Sequence, residues 1–107
     1  MDNQEKHHVL FINLVMMFHS LAWQQLGKIK NPVTGVVERN LDGARHCIDT
    51  LEMLKEKTRG GLVPEEERFL DEIVKELKLN YVDESRKPVQ EGISEGTFAP
   101  EAKDQSG

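Results

Sequence analysis

Residues 40–82 read NLDGARHCIDTLEMLKEKTRGGLVPEEERFLDEIVKELKLNYV. Leu41, Ala44, Ile48, Leu51 and Leu54 recur at helical spacing, and so do Phe69, Leu70, Ile73, Val74, Leu77 and Tyr81. Between the two stripes, Gly60-Gly61 can stop a helix and Pro64 suits the first turn of the next. This pattern specifies an αα-hairpin. It carries no chemical constellation of its own.

Working outward, a third helix is expected before the hairpin, from Gln4 to Leu26, with Gly27 as its stop. At the α-helical rise it would be ~35 Å long. The hairpin helices, Leu41 to Arg59 and Pro64 to Val82, would each be nearer ~28 Å. Asn40 stands where an N-cap accepts a bond from a free N–H of the first turn. Gly43 weakens that turn, which implies close approach of a neighbouring backbone. Glu65, Glu66 and Glu67 suit the positive end of helix three, and Asp71 and Lys75 are spaced for an i,i+4 pair. The connection from Gly27 to Arg39 holds Asn31-Pro32 and Thr34-Gly35, a turn signal. Val36-Val37 could be extended but has no evident partner strand.

The chain has 107 residues, of which 31% are charged and 37% belong to the hydrophobic set, with a net charge of −5. That suits one small helical domain rather than a membrane span. Phosphate neutralisation needs clustered Lys and Arg, so no nucleic acid is expected as a partner. A single cysteine forbids an internal disulfide and fits a reducing, cytoplasmic compartment. Val9 to Phe18 is an apolar run, but Asp2 and Glu5 precede it where a secretion signal needs positive charge. His19, Ser20, Gln24 and Gln25 break it before it could cross a bilayer.

Residues 83–107 change character, with six acids against three bases and only scattered apolar residues. Such a composition cannot bury enough surface to offset ordering, so a domain over residues 1–82 and a disordered acidic tail over 83–107 are expected.

On a helical wheel, helix one is apolar nearly all round, apart from a narrow stripe of Lys6, Asn13, Ser20 and Gln24. A two-helix hairpin covers only one side of such a helix, so the remaining apolar surface implies a partner, most simply a second copy. Phe11, Asn13, Leu14, Phe18, Ser20, Leu21, Trp23 and Gln24 are the expected oligomer-interface residues. If the polar stripe is buried there, it must find hydrogen-bond partners and can set register. Helix two presents Ala44, Cys47, Ile48, Leu51, Leu54 and Thr58 on one side, with His46, Thr50, Met53 and Lys57 opposite. Met16 and Met17 are assigned to core filling.

Candidate chemistry reduces to solvated or structural groups. His46 and Cys47 are adjacent, so their side chains point about 100° apart and cannot share one metal. Cys47 lies on the core stripe, where a thiol is inert. His7-His8 read as a solvated pair at a frayed terminus. The carboxylates Asp49, Glu52, Glu56, Glu65, Glu66, Glu67, Asp71 and Glu72 read as a solvated face, since acid–base work needs a concave pocket and perturbed pKa values. Gly60-Gly61 lacks the Lys and Ser/Thr context of a phosphate loop. No catalytic residue, cofactor or metal is expected.

The ordered segments FINLVMMF, LGKI, NPVTG, NLDGARHCIDTLEMLKEKTRGGL and PEEERFLDEIVKELKLNYV resemble a short bacterial family, domain of unknown function 1844. The likeness covers about residues 9 to 82. Asn31, Pro32, Thr34, Gly35, Asn40, Ala44, Ile48, Asp49, Leu51, Leu54, Lys57, Thr58, Gly60, Leu62, Glu66, Leu70, Leu77 and Tyr81 fall where the family pattern expects such residues. Val63 stands where Thr is expected, which would leave helix three without its side-chain cap. Gly61 replaces an expected Asn. The resemblance implies the helical fold and no catalytic residue.

These readings converge on an all-α fold of three helices, a long apolar N-terminal helix packed with an αα-hairpin and completed by oligomerisation. The expected role is a cytoplasmic, homo-oligomeric macromolecular interaction module, a dimer by preference, with a further protein partner that the residues do not name. Two rival readings are a membrane-surface protein anchored through helix one and an enzyme with a carboxylate site at a subunit interface. The first is weakened because the polar stripe lacks the Lys and Arg of an interfacial helix.

Overall fold

The computed structural model describes residues 2–88, and the expected tail beyond Pro88 lies outside them. The element order is α1 (Asn3–Gln25), β1 (Leu26–Lys30), β2 (Val37–Arg39), α2 (Leu41–Lys57) and α3 (Pro64–Ser85). Asp2 opens α1 with a reciprocal capping box: its carboxylate accepts from the Glu5 N–H at 2.8 Å, and Glu5 accepts from the Asp2 N–H at 3.2 Å. The helix ends one residue earlier than expected. At Gly27 φ is +82°, a conformation that an L side chain rarely adopts, and the chain turns there from helix into strand.

The connection between α1 and α2 is a β-hairpin rather than a bare turn. Strands β1 and β2 pair antiparallel, Leu26 opposite Arg39 and Lys30 opposite Val37, with an irregularity between. Val37 therefore has the partner that was not evident in the sequence: the Leu26–Lys30 segment, which alternates too weakly to declare itself. At the tip, Asn31 Oδ1 accepts from the N–H groups of Val33 (2.8 Å) and Thr34 (3.3 Å), and the Asn31 N–H donates to the Val36 carbonyl at 2.9 Å. An Asx turn of this kind is the ordinary use of Asn before Pro.

Asn40 caps α2 as expected, its Oδ1 accepting from the Gly43 N–H at 3.0 Å. What approaches Gly43 is the side chain of Gln25 and not a backbone. A Cβ at Gly43 would stand 2.7 Å from the Gln25 Cδ. At the start of α3, Val63 offers no side-chain cap. The Glu66 carboxylate reaches back instead and accepts from the Val63 N–H at 3.1 Å. Helix α3 then runs three residues past the expected domain boundary at Val82.

The three helices form one core: Val15 and Ala22 from α1, Ala44, Cys47, Ile48 and Leu51 from α2, and Leu70, Val74 and Leu77 from α3, with Leu26 at the base of the hairpin. Ala22 of α1 and Ala44 of α2 are both fully buried. Directions follow from the cross-links. Lys55 meets Asp71 at 2.8 Å and Lys78 meets Glu52, so α2 and α3 are antiparallel. Asp71 was expected to serve Lys75 on its own helix but reaches across to α2. His8 meets Glu66 at 2.7 Å and His19 meets Glu76 at 3.0 Å, so α1 and α3 are parallel. The hairpin therefore sits where the end of α1, the start of α2 and the end of α3 converge, giving a flat body of 55 × 25 × 16 Å.

Candidate interaction face

Of the 23 residues of α1, only Val15 and Ala22 are buried. The reason is geometric: α2 and α3 both pack on one side of it, so its other side has no neighbour among the described residues. The eight expected interface residues divide accordingly. Phe11, Phe18 and Trp23 are half-buried and packed against the chain's own core. Asn13, Leu14, Ser20 and Leu21 face outward, and Gln24 is half-buried at their edge. The expected site is thus split by the fold between the core side and the open side.

The open side also contains residues assigned to other roles. Met17 is 67% exposed and Leu10 54%, and Val9 and Met16 are exposed beside them. Met16 and Met17 do not fill the core. Leu10, Leu14, Met17 and Leu21 lie along one line at spacings of four, three and four residues. That spacing was present in the sequence, but on a helix apolar nearly all round it could not be separated from the core-facing positions. No Asp, Glu, Lys or Arg occurs from residue 9 to residue 27, so the face is free of formal charge.

Of the histidine pair and the eight carboxylates expected to be solvated, His8 and Glu66 depart, whereas His7, Asp49, Glu56, Glu65, Glu67, Asp71 and Glu72 are exposed. His8 is only half solvated, because its Nδ1 contacts Glu66, whose side chain is itself nearly buried. Glu66 therefore leaves the set of solvated carboxylates and joins α1 to the N-terminus of α3. His19 stacks on Trp23 with ring centroids 5.4 Å apart. Cys47 is free and buried, and burial pushes its thiol above the ordinary range, which keeps it protonated. Its Sγ donates to Gln25 Oε1 at 3.6 Å.

A second cluster lies at the hairpin end. The Glu84 carboxylate is almost fully buried and accepts from Lys28 Nζ and Lys87 Nζ, each at 2.8 Å. The guanidinium of Arg39 stands 3.6 Å from the same carboxylate and donates to the Glu84 carbonyl at 3.2 Å. Burial alone would raise the Glu84 pKa, but the two lysine hydrogen bonds outweigh it and hold the carboxyl below its usual range. Lys28 and Arg39 thereby tie β1 and β2 to α3, while Lys87 is a local partner three residues further along the chain.

Among the described residues, two depressions in the surface stand out, and neither presents a free constellation of reactive groups. One, bordered by Gln24, Gln25, Asn31, Glu38 and Asn40, has a volume of about 90 Å³, far below the space a cofactor needs. The other, about 570 Å³ and open, borders Gln4, Glu5, His8 and Val9. Its polar groups Glu5 and His8 are already engaged by Asp2 and Glu66. Among the described residues, no three His, Cys, Asp or Glu side chains are placed to hold a metal ion, and no helix is long and apolar enough to cross a membrane.

A family model described as domain of unknown function (DUF1844) matches residues 8–84, well over half of the chain. The chain belongs to this family. The matched span of the DUF1844 domain ends at Glu84 and so takes in the buried carboxylate, where the expected boundary at Val82 left it out. Among curated proteins and solved structures, none matches the chain.

Proposed function

We propose that this DUF1844 protein is a cytoplasmic, homo-oligomeric macromolecular interaction module, a dimer by preference, that works through the open face of α1. One observation carries the reading: a charge-free apolar stripe on a chain whose other surfaces are densely charged. Soluble monomers seldom leave such a stripe uncovered, and contiguous apolar patches usually mark interfaces. A lipid surface fits it less well, because Lys6 is the only Lys or Arg on α1. A carboxylate reaction centre at the interface also fits poorly, since the face carries no acid. The free buried thiol is in keeping with a reducing compartment. Light scattering of the full chain at high micromolar concentration tests the proposal. A mass of at least twice 12.2 kDa is expected. A clean monomer would overturn it.

A further inference from the structure

We infer that the partner on this face is a second copy of the same helix running antiparallel, related by a two-fold axis between Leu14 and Met17. The inference rests on the self-association proposed above and adds its geometry. The spacing of the exposed line places Leu14 and Leu21 at a positions of a heptad and Leu10 and Met17 at d positions. Asn13 and Ser20 then fall at g on one flank, and the half-buried Phe11 and Phe18 at e on the other.

Orientation decides which flanking residues meet. In an antiparallel pair, a faces d and each flank faces its own kind. Leu14 then packs on Met17 of the second copy and Leu10 on Leu21 of the second copy. Asn13 meets Ser20 of the second copy, so an amide and a hydroxyl satisfy each other, and Phe11 meets Phe18 of the second copy. In a parallel pair, g faces e, and the Asn13 amide is set against an aromatic ring with no hydrogen-bond partner, which is costly once water is excluded. The helix dipoles also favour the antiparallel pair. Charge selects the same face. Two acidic chains apposed through α2 or α3 would bring carboxylates such as Asp49, Glu56 and Glu67 together, whereas the α1 face sets no like charges against each other.

From Leu10 to Leu21 the seam is about 17 Å long, short for a stable interface, so association is tested at high micromolar protein. The Leu10→Cys and Leu21→Cys variants are made in the full chain with Cys47→Ser, since both leucines are exposed and replaceable without opening the core. They are oxidised singly and as an equal mixture. The antiparallel pair brings position 10 beside position 21 of the second copy and separates like positions by about 17 Å along the axis. The mixture should therefore give at least tenfold more disulfide-linked dimer than either variant alone. Cross-linking of each variant with itself would establish a parallel pair and overturn the inference. If no cross-link forms in any combination while light scattering still shows a dimer, the register is wrong and the self-association stands. A monomer in light scattering overturns both. The same two variants with Cys47 retained, read by peptide mapping of the linked positions, cover the case in which Cys47→Ser does not fold.

Discussion

Lys28 on the first hairpin strand donates to the Glu84 carboxylate at 2.8 Å, joining residues 56 apart in the chain. With Arg39 from the second strand, it fastens the hairpin to the last turn of α3. A buried carboxylate is tolerated there because three cations surround it, and removing one member of such a group leaves the others uncompensated.

A chain ending at Val82 should therefore be less stable than one ending at Pro88, although it retains all of the apolar core. The loss should be about 2 kcal/mol, given the partial exposure of both lysines. In a domain of this size that lowers the thermal midpoint by roughly 10 °C. Equal midpoints for the two truncations would mean that the cluster contributes nothing to folding.

The same carboxylate gives a pH dependence with a defined sign. Its pKa lies below the ordinary range in the folded chain and at that range in the unfolded one, so the unfolded state gains the proton first as pH falls. The stabilisation is complete above the ordinary carboxylate range and is lost as pH drops through the folded value. Glu84→Gln should flatten the acid limb of the stability profile while lowering the plateau near neutrality. A variant profile parallel to the parent at all pH values would refute this assignment.

Gly43 and Gln25 should be energetically coupled. Alanine at Gly43 gains about 1 kcal/mol of helix propensity but must displace the Gln25 amide from its place beside Cys47. In a Gln25→Ala background that displacement vanishes. Denaturation of the four chains of the cycle should show Gly43→Ala to be more favourable by about 1 kcal/mol when Gln25 is absent. Strict additivity would show that the close approach has no energetic weight.

Met17→Lys tests the open face without touching the core. Since Met17 is 67% exposed in the single chain, the change should move monomer stability by no more than about 0.5 kcal/mol. It should nevertheless place two cations against each other at the centre of the seam. Circular dichroism is expected to be unchanged, while the mass in solution falls to 12.2 kDa. A dimer surviving this substitution would locate the contact elsewhere.

The three helices, the Asn40 cap and the core positions of α2 and α3 were determined by the sequence alone. Each depends on neighbours within a few residues, where apolar spacing, caps and glycine act directly on the local backbone. Tertiary structure decided what depends on distant partners. Residues 26–30 become a strand only because residues 37–39 return beside them. Glu66 reads as a surface acid and Glu84 as part of an acidic tail until α1 and the hairpin close over them. The faces of α1 were the least legible, because apolar residues occur nearly all round the helix and its wheel does not show which side meets the core. Placing α2 and α3 on one side resolves this, turning Phe11, Phe18 and Trp23 toward the core and leaving Leu10, Leu14, Met17 and Leu21 exposed.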